Sequence, residues 1–193
     1  TEDANKDATI IMEHYRNGKM LKESAENVLK DLYGLSEKEK LTVNMLMGPA
    51  PKGTDPEEYN NLVKTYNEGV SIMNRSKEEM INKLDMFIYY IIERQFTTFK
   101  KYTKDLYQEG VVGILKGIDT YNPEKSKPTT FFFIYIVHEM TEFINMNINK
   151  TTSHYSANIV KVKKAINQFE REGRDWTIKD IAQETKISAE TIT

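Results

Sequence analysis

A helix that mixes aromatic and polar side chains is predicted between residues 131 and 145. One face is an apolar stripe at i, i+3, i+4, i+7 spacing and is predicted to lie in the core: Phe133, Ile136, Val137, Met140, Phe143 and Ile144. The other face carries large flat or apolar groups among hydrogen-bonding ones: Phe131, Ile134, Tyr135, His138, Thr141, Glu142 and Asn145. Proteins hold unstacked nucleic-acid bases on aromatic rings of this kind. Periodicity alone favours a simpler interpretation, in which Phe131 and Tyr135 pack on a neighbouring helix. A base-binding surface and a packing surface are therefore both open.

Positive charge is concentrated in one later segment of an otherwise acidic chain. Residues 150–173 hold five basic and two acidic side chains, a net charge of +3, and the remaining 22 basic and 27 acidic side chains give −5. Lys161, Lys164 and Asn158 lie on the outward face of a predicted amphipathic helix, and Lys163 belongs to the same basic strip. The predicted inward residues of this helix are Ile159, Val162, Ile166 and Phe169. Such a strip can contact phosphates, although an ordinary solvated helix face explains it more simply.

Three glycines share one side of the helix predicted to begin near Asp105. Gly110, Gly113 and Gly117 follow i, i+3, i+7 spacing, and each costs about 1 kcal/mol against alanine in a helix interior. A glycine stripe lets another backbone approach closely. We therefore predict that this helix packs against a close neighbour.

Helical periodicity runs through nearly the whole chain, and strictly alternating β-branched runs are missing. The predicted fold class is therefore all-α. Two helices are predicted within residues 8–47, and the segment Gly48–Pro56 is rich in Pro and Gly and predicts a linker. Ser76 with Glu79 predicts a capping box near the start of an apolar core helix over Met80–Phe96.

Local signals also predict several other helix starts and one weak similarity. Pro128 with a following threonine predicts the start of the aromatic helix. Thr177 and Ser188 predict the N-caps of two short helices around a buried Ile187, which is the outline of a helix-turn-helix. Residues 15–30 (YRNGKMLKESAENVLK) and 66–83 (YNEGVSIMNRSKEEMINK) look faintly alike, which is weak support for an internal repeat.

Composition narrows the class of protein further. The 193 residues are 39% hydrophobic, which predicts a globular chain of one or two domains. The absence of cysteine excludes disulfides, thiolate metal sites and a cysteine nucleophile. No apolar run reaches membrane-spanning length, so the expected location is the cytoplasm, with no membrane partner. A first residue Thr1 and a helical ending "SAETIT" predict a fragment.

Catalytic and metal-binding patterns are poorly represented. His14, His138 and His154 are far apart, and none is paired with a carboxylate at metal-ligand spacing. The sequence holds no phosphate-binding glycine loop and no nucleophile elbow. We therefore expect no enzymatic activity, no metal and no cofactor.

An ordered set of motifs resembles the bacterial RNA polymerase sigma factors. The motifs are "DLYQEG", "GIDTYNPEKSK" and "TTF", followed by the aromatic helix, the basic helix and "GRDWTIKDIAQETKIS". The resemblance covers about Asn60 to Thr193 and implies region two plus the start of region three. Together with the linker predicted from composition, it divides the chain into a helical segment of open role (1–50), a linker (51–56), a region-two-like domain (57–149) and the truncated start of a region-three-like helical domain (150–193).

The resemblance implies two partners, core RNA polymerase and promoter DNA. The "DLYQEG" helix would dock on a coiled coil of the largest polymerase subunit, with Gly110 and Gly113 admitting a neighbouring helix of its own domain. The implied polymerase-binding residues are Asp105, Leu106, Gln108, Glu109, Val111 and Leu115.

In that family the aromatic helix captures the minus-ten promoter element. It flips a base of the non-template strand onto an aromatic residue and wedges the duplex with a tryptophan pair. Phe131 matches the stacking aromatic residue, and Ile134 and Tyr135 stand at the tryptophan positions. The implied DNA-binding residues are Thr130, Phe131, Ile134, Tyr135, His138, Thr141, His154, Lys161, Lys163 and Lys164.

Several departures from the family pattern leave two interpretations open. Val137 and Glu142 replace usual arginines, His138 replaces a usual glutamine, and Ala157 replaces the glutamate partner of His154. The first interpretation is a divergent bacterial or phage sigma factor that melts promoters. The second is a sigma-like subunit that binds and regulates polymerase without reading DNA. An anti-sigma or other regulatory protein is a further candidate partner, and a free helix-turn-helix repressor does not explain the Asp105 helix.

Overall fold

The computed structural model describes the backbone of residues 2–148 and 153–192 and the side chains of residues 6–148 and 157–192. Within these ranges the secondary structure is helical and contains no strand, so the all-α prediction is confirmed. None of the described helices is long and apolar enough to cross a membrane. The chain forms two compact units that divide between Val137 and His138. The predicted domain boundaries at residues 50, 56 and 149 stay predictions.

Eight α-helices follow one another along the described chain. They are α1 (Glu2–Leu32), α2 (Val43–Met47), α3 (Pro56–Gln95), α4 (Thr103–Gly117), α5 (Pro128–Phe143), α6 (Ser153–Arg171), α7 (Ile178–Thr185) and α8 (Ala189–Ile192). Short 3-10 turns at Thr97–Tyr102 and Ile118–Thr120 flank α4, and a π-helical segment at Ile144–Ile148 continues α5.

The long helices α1 and α3 form an antiparallel pair in the first unit. Lys83 Nζ of α3 lies 3.0 Å from the Asp7 carboxylate near the start of α1. Beyond the other end of α1, the hydroxyl oxygens of Tyr33 and Tyr59 are 2.8 Å apart. Both also lie within 2.7 Å of the carbonyl oxygen of Met45, which holds α2 against the end of the pair. The two helices predicted within residues 8–47 correspond to α1 and α2, and the next helix, α3, begins at Pro56, where the predicted linker ends.

The two helices approach most closely where Gly18 meets Gly69. A Cβ atom added at Gly69 would lie 2.5 Å from the backbone nitrogen of Lys22 and 2.6 Å from the carbonyl oxygen of Gly18. Atoms do not approach this closely without a shift of the backbone, so only glycine fits. The two glycines occupy the same position in the faintly similar segments 15–30 and 66–83. The similarity of the two segments therefore includes the point at which α1 and α3 approach most closely.

The predicted capping box at Ser76 is wrong because α3 continues through it without a break. Ser76 is buried, and its hydroxyl donates a hydrogen bond of 3.0 Å to the carbonyl oxygen of Ile72, one turn earlier. Serine satisfies its hydroxyl in this way inside helices. The following half of α3 supplies these buried core residues: Met80, Leu84, Ile88, Ile91 and Ile92. Met86 and Tyr90 are exposed on its other side.

The second unit has a small core between α6 and α7. Ala165, Phe169 and Ile181 are buried there, and Val162 and Ile166 pack against them. This confirms three of the four predicted inward residues of α6. The fourth, Ile159, is 42% exposed, so its inward assignment was wrong.

The end of the second unit carries two helices joined by a short turn. The predicted cap at Thr177 is confirmed, since its backbone N–H donates to the Asp180 carboxylate and its own hydroxyl accepts from the Asp180 N–H. Lys186, with a φ of 57°, ends α7 in the left-handed region. Ile187 is half-buried rather than fully buried. Because α8 spans only four described residues, a helix-turn-helix that reads DNA stays a prediction.

We expect Gly69→Ala to lower the free energy of unfolding by about 1–3 kcal/mol, because its methyl group would meet backbone atoms of α1. Alanine alone would add about 1 kcal/mol of helix propensity, so the two effects oppose each other. Denaturant unfolding followed by circular dichroism measures the result. Asn67→Ala, at an exposed position of α3, is the control and should change stability by less than about 0.5 kcal/mol. Equal stability of Gly69→Ala and the wild type would contradict the close crossing.

Candidate functional site

The helix α4 has a buried side and an exposed side. The buried residues are Leu106, Gly110, Gly113, Ile114 and Gly117. The predicted polymerase-binding residues Asp105 and Gln108 are exposed, Leu115 is 39% exposed, and Glu109 and Val111 are half-buried. Leu106 has no exposed surface. We therefore assign Leu106 to the core and remove it from the predicted binding surface.

The glycine stripe of α4 packs against the first half of α5. A Cβ atom at Gly113 would lie 2.8 Å from the carbonyl carbon and oxygen of Tyr135, and one at Gly117 would lie 3.1 Å from ring atoms of Phe132 and Tyr135. The predicted close neighbour of the stripe is therefore α5. This contact occupies the side of α4 that carries Gly113 and Gly117 and leaves Asp105 and Gln108 exposed.

The helix α5 begins at Pro128, as predicted, and its burial departs in part from the predicted stripe. Ile136, Met140 and Ile144 are buried as predicted. Phe133, Val137 and Phe143, predicted for the core, are only half-buried. Phe132 was assigned to neither face and is fully buried, while Asn145 and Glu139 are the buried polar residues of this region.

An aromatic cluster of Tyr121, Phe131 and Tyr135 forms at the start of α5. The ring centroid of Phe131 lies 5.0 Å from that of Tyr121 and 5.3 Å from that of Tyr135. The hydroxyl of Tyr121 donates to the carbonyl oxygen of Ser126 at 3.1 Å, and burial raises the pKa of Tyr121 to about 12. Phe131 is half-buried. Its ring therefore packs on its neighbours and still presents a surface.

The two residues at the predicted wedge positions are not equivalent. Ile134 is 71% exposed. Tyr135 is half-buried beside Phe131, and its hydroxyl oxygen lies 3.2 Å from the Thr120 Oγ1 atom. The structure therefore leaves Ile134 accessible to a partner and holds Tyr135 in the cluster.

The remaining predicted DNA-binding residues are distributed over both units. Thr130 is exposed on α5 in the first unit, and His138 and Thr141 are exposed on α5 in the second. Lys161, Lys163 and Lys164 are exposed on α6. Lys163, Lys164 and Arg171 line a shallow open depression on that helix. His154 lies outside the residues whose side chains are described.

Sequence reasoning missed two lysines that precede the aromatic cluster. Lys125 and Lys127 are exposed in the loop between Tyr121 and α5. Asn122 shapes this loop, because its side-chain oxygen accepts from the backbone N–H of Glu124 at 3.0 Å and its carbonyl accepts from that of Lys125 at 3.1 Å. Both lysines belong to the motif "YNPEKSK", so cations directly before an aromatic helix were the available signal.

Asp119 connects α1 to the turn that precedes the aromatic cluster. Its carboxylate accepts a hydrogen bond of 3.0 Å from the Tyr15 hydroxyl and one of 2.8 Å from the Lys19 ammonium. The bond from Lys19 is the main cause that holds the pKa of Asp119 below its usual range. Burial, followed by the bond to Asp119, raises the pKa of Tyr15. The carboxylate is therefore charged and doubly bonded at neutral pH.

The exposed side of α4 and the aromatic cluster both lie in a segment that matches a known protein family. Residues 94–147 match the family model of sigma-70 region 2. The matched segment runs from the end of α3 through α4 and α5, so it contains the exposed side of α4 and the aromatic cluster. No curated protein matches the chain. The matched segment is therefore similar to a domain of transcription-initiation factors.

Over this segment the chain is similar to sigma-70 region 2. This match supports the expectation of a sigma-like factor that binds RNA polymerase and takes part in promoter melting. Sigma factors are not enzymes, and the expectation that this chain has no enzymatic activity stays a prediction. Helices α1 and α6–α8 lie outside the matched residues. The assignment of His154 therefore rests on the sequence resemblance, and those of Lys161, Lys163 and Lys164 rest on the charge pattern of residues 150–173.

Proposed function

We propose that the chain is a divergent sigma factor that docks on core RNA polymerase through α4 and holds the melted non-template strand of the minus-ten element on α5. One observation carries the proposal. Within the segment that matches sigma-70 region 2, α4 exposes Asp105 and Gln108 while its Gly113 and Gly117 contact α5, and α5 carries a partly exposed aromatic cluster. One compact unit can therefore offer a protein-binding surface and a strand-binding surface together.

The proposed docking surface consists of Asp105, Gln108, Glu109, Val111 and Leu115. It combines a carboxylate and an amide with the partly exposed side chain of Leu115, a mixture typical of protein interfaces with an apolar centre and a polar rim. The proposed partner surface is the coiled coil of the largest polymerase subunit. Because Leu106 is buried, it would support this surface from beneath.

The proposed strand-binding site uses Phe131 and Ile134 in different roles. Phe131 would stack on an unpaired base, an interaction worth roughly 1–3 kcal/mol per base. The exposed Ile134 would act as the wedge, since apolar side chains inserted between base steps unstack and kink a duplex. Tyr135, held next to Phe131 and close to Thr120, would form a wall of the stacking site. The sequence had assigned Ile134 and Tyr135 one shared role.

Phosphate contacts are proposed for exposed lysines on both units. Lys125 and Lys127 precede the aromatic cluster, and Lys161, Lys163 and Lys164 lie on α6. Lysine contacts of this kind give affinity that depends on salt and not on sequence. Buried Glu139 presents little of its charge to a strand, which reduces one objection to DNA binding.

The second candidate function is a sigma-like subunit that binds polymerase and regulates it without reading DNA. Val137 and Glu142 favour it, because they replace two usual arginines and place a half-buried carboxylate on α5. An anti-sigma or other regulatory protein is a further proposed partner of either candidate. The cytoplasmic location stays a prediction.

The docking proposal predicts that Asp105→Lys combined with Gln108→Ala abolishes retention of core polymerase in a pull-down at moderate salt. Both side chains are exposed, so the melting temperature should stay nearly unchanged. The control is Glu78→Lys with Asn74→Ala, which makes the same change of charge at exposed positions of α3. Full retention by the Asp105 variant, or equal loss by the control, would contradict the assignment.

The strand-binding proposal predicts that the complex with core polymerase binds single-stranded minus-ten-like DNA more tightly than duplex. Phe131→Ala should weaken single-strand binding by about 10-fold, which corresponds to the loss of one stacked base. Ile134→Ala should impair melting of duplex more than binding to an open strand, because a wedge acts only while a base pair is being broken. Fluorescence anisotropy with both DNA forms measures these effects.

The control for that experiment is Tyr90→Ala, which removes an exposed aromatic ring of α3. It should leave both affinities unchanged. If the complex shows no preference for single-stranded DNA and Phe131→Ala changes nothing while core binding survives, the polymerase-only function replaces the sigma function.

A further inference from the structure

We propose that α1 positions the strand-binding site, with Tyr15 and Lys19 acting through Asp119 on the aromatic cluster. The role of residues 1–50 is open in the sequence, and α1 lies outside the segment that matches sigma-70 region 2. In this proposal α1 contributes to the geometry of the strand-binding site. It rests on the proposed function for the ligand, while the positioning of Tyr135 can be measured without DNA.

The first step is the contact between α1 and the 3-10 turn Ile118–Thr120. Tyr15 and Lys19 lie one helical turn apart on α1, and both donate to the same carboxylate oxygen of Asp119, at 3.0 and 2.8 Å. Lys77 of α3 adds positive charge, since its Nζ atom lies 6.0 Å from the centroid of the Tyr15 ring and it also lowers the pKa of Asp119. Three side chains from two helices therefore converge on this one carboxylate.

The second step is the short path from Asp119 to the aromatic cluster. Thr120, the next residue, has its hydroxyl 3.2 Å from that of Tyr135. Tyr121, one residue further, has its ring centroid 5.0 Å from that of Phe131. A three-residue turn cannot shift at Asp119 without moving its immediate neighbours. The turn thus contacts α1 through Asp119 and Tyr135 through Thr120, and it continues directly into Tyr121, which belongs to the same cluster.

The bonds from Tyr15 and Lys19 to Asp119 are expected to position the turn more than they stabilise the fold. The side chains of Lys19 and Asp119 are 39% and 54% exposed, and ion pairs this exposed add little to stability. The pairing of α1 with α3 has its own contacts at Gly18 with Gly69 and at Asp7 with Lys83. The bonds to Asp119 add a connection to a different segment of the chain. Their main effect is therefore expected on the geometry of the turn.

The first arm of the test follows the Tyr135 ring by fluorine NMR of the chain labelled with 3-fluorotyrosine. Tyr135→Phe assigns the signal. Lys19→Met and Asp119→Asn should each shift or broaden the Tyr135 signal, and Lys19→Arg should restore it because arginine can still donate to the carboxylate. The matched control is Lys83→Met, which removes another ion pair between α1 and a different element, that of Lys83 with Asp7. A Tyr135 signal that is unchanged in Lys19→Met and Asp119→Asn overturns the inference.

The second arm measures binding of a single-stranded minus-ten-like oligonucleotide to the complex of each variant with core polymerase. Tyr15→Phe combined with Lys19→Met should weaken DNA binding about 3-fold to 10-fold and leave retention of core polymerase at the wild-type level. Lys83→Met should bind the oligonucleotide as tightly as the wild type. The triple variant that also carries Phe131→Ala should bind the oligonucleotide about as tightly as Phe131→Ala alone, because the ring that α1 positions is then absent. Full additivity, or an equal loss in Lys83→Met, contradicts positioning through the cluster.

The two arms also separate the inference from the proposed function. If Phe131→Ala leaves strand binding unchanged, the proposed function fails. The fluorine signal of Tyr135 then decides the inference alone, since its shift in Lys19→Met supports positioning by α1 and its constancy overturns it.

Discussion

The close approach of α4 to α5 at Gly113 is the constraint on which the candidate site depends. A side chain at Gly113 would meet the backbone of Tyr135, so the two helices can pack at this distance only through glycine. The packing leaves Gln108 of α4 exposed and fixes the helix that carries Phe131. The helix propensity lost at each glycine, about 1 kcal/mol, is offset by a contact that sets the geometry of both surfaces.

Features with a local or periodic signal could be predicted from the sequence. The all-α class, the start of α5 at Pro128 and the cap at Thr177 depend on residues close together in the chain, and the stripe around Gly113 repeats at helical spacing. Features set by distant contacts could not be predicted. The continuous helix through Ser76 and the burial of Leu106 depend on neighbours that sequence spacing does not identify.

The aromatic side chains of α5 illustrate the same limit at the site itself. Sequence periodicity offered packing and base binding as alternatives for Phe131, whereas its half-buried ring in the cluster is compatible with both. Ile134 and Tyr135 are adjacent and occupy corresponding family positions. Their exposure and the contacts of Tyr135 with Phe131 and Thr120 distinguish them, and the contact with Thr120 joins residues 15 apart. The proposed contribution of α1 through Asp119 joins residues about 100 apart, which no local pattern encodes.

The central claim is that one unit presents one side to polymerase and another to the open DNA strand. Site-specific photocrosslinking in the assembled promoter complex tests it directly, with benzoylphenylalanine placed at Gln108 in one preparation and at Ile134 in another. The account predicts a crosslink from position 108 to the largest polymerase subunit and one from position 134 to the non-template strand. Crosslinks from position 134 to protein alone, or from position 108 to DNA, would contradict it.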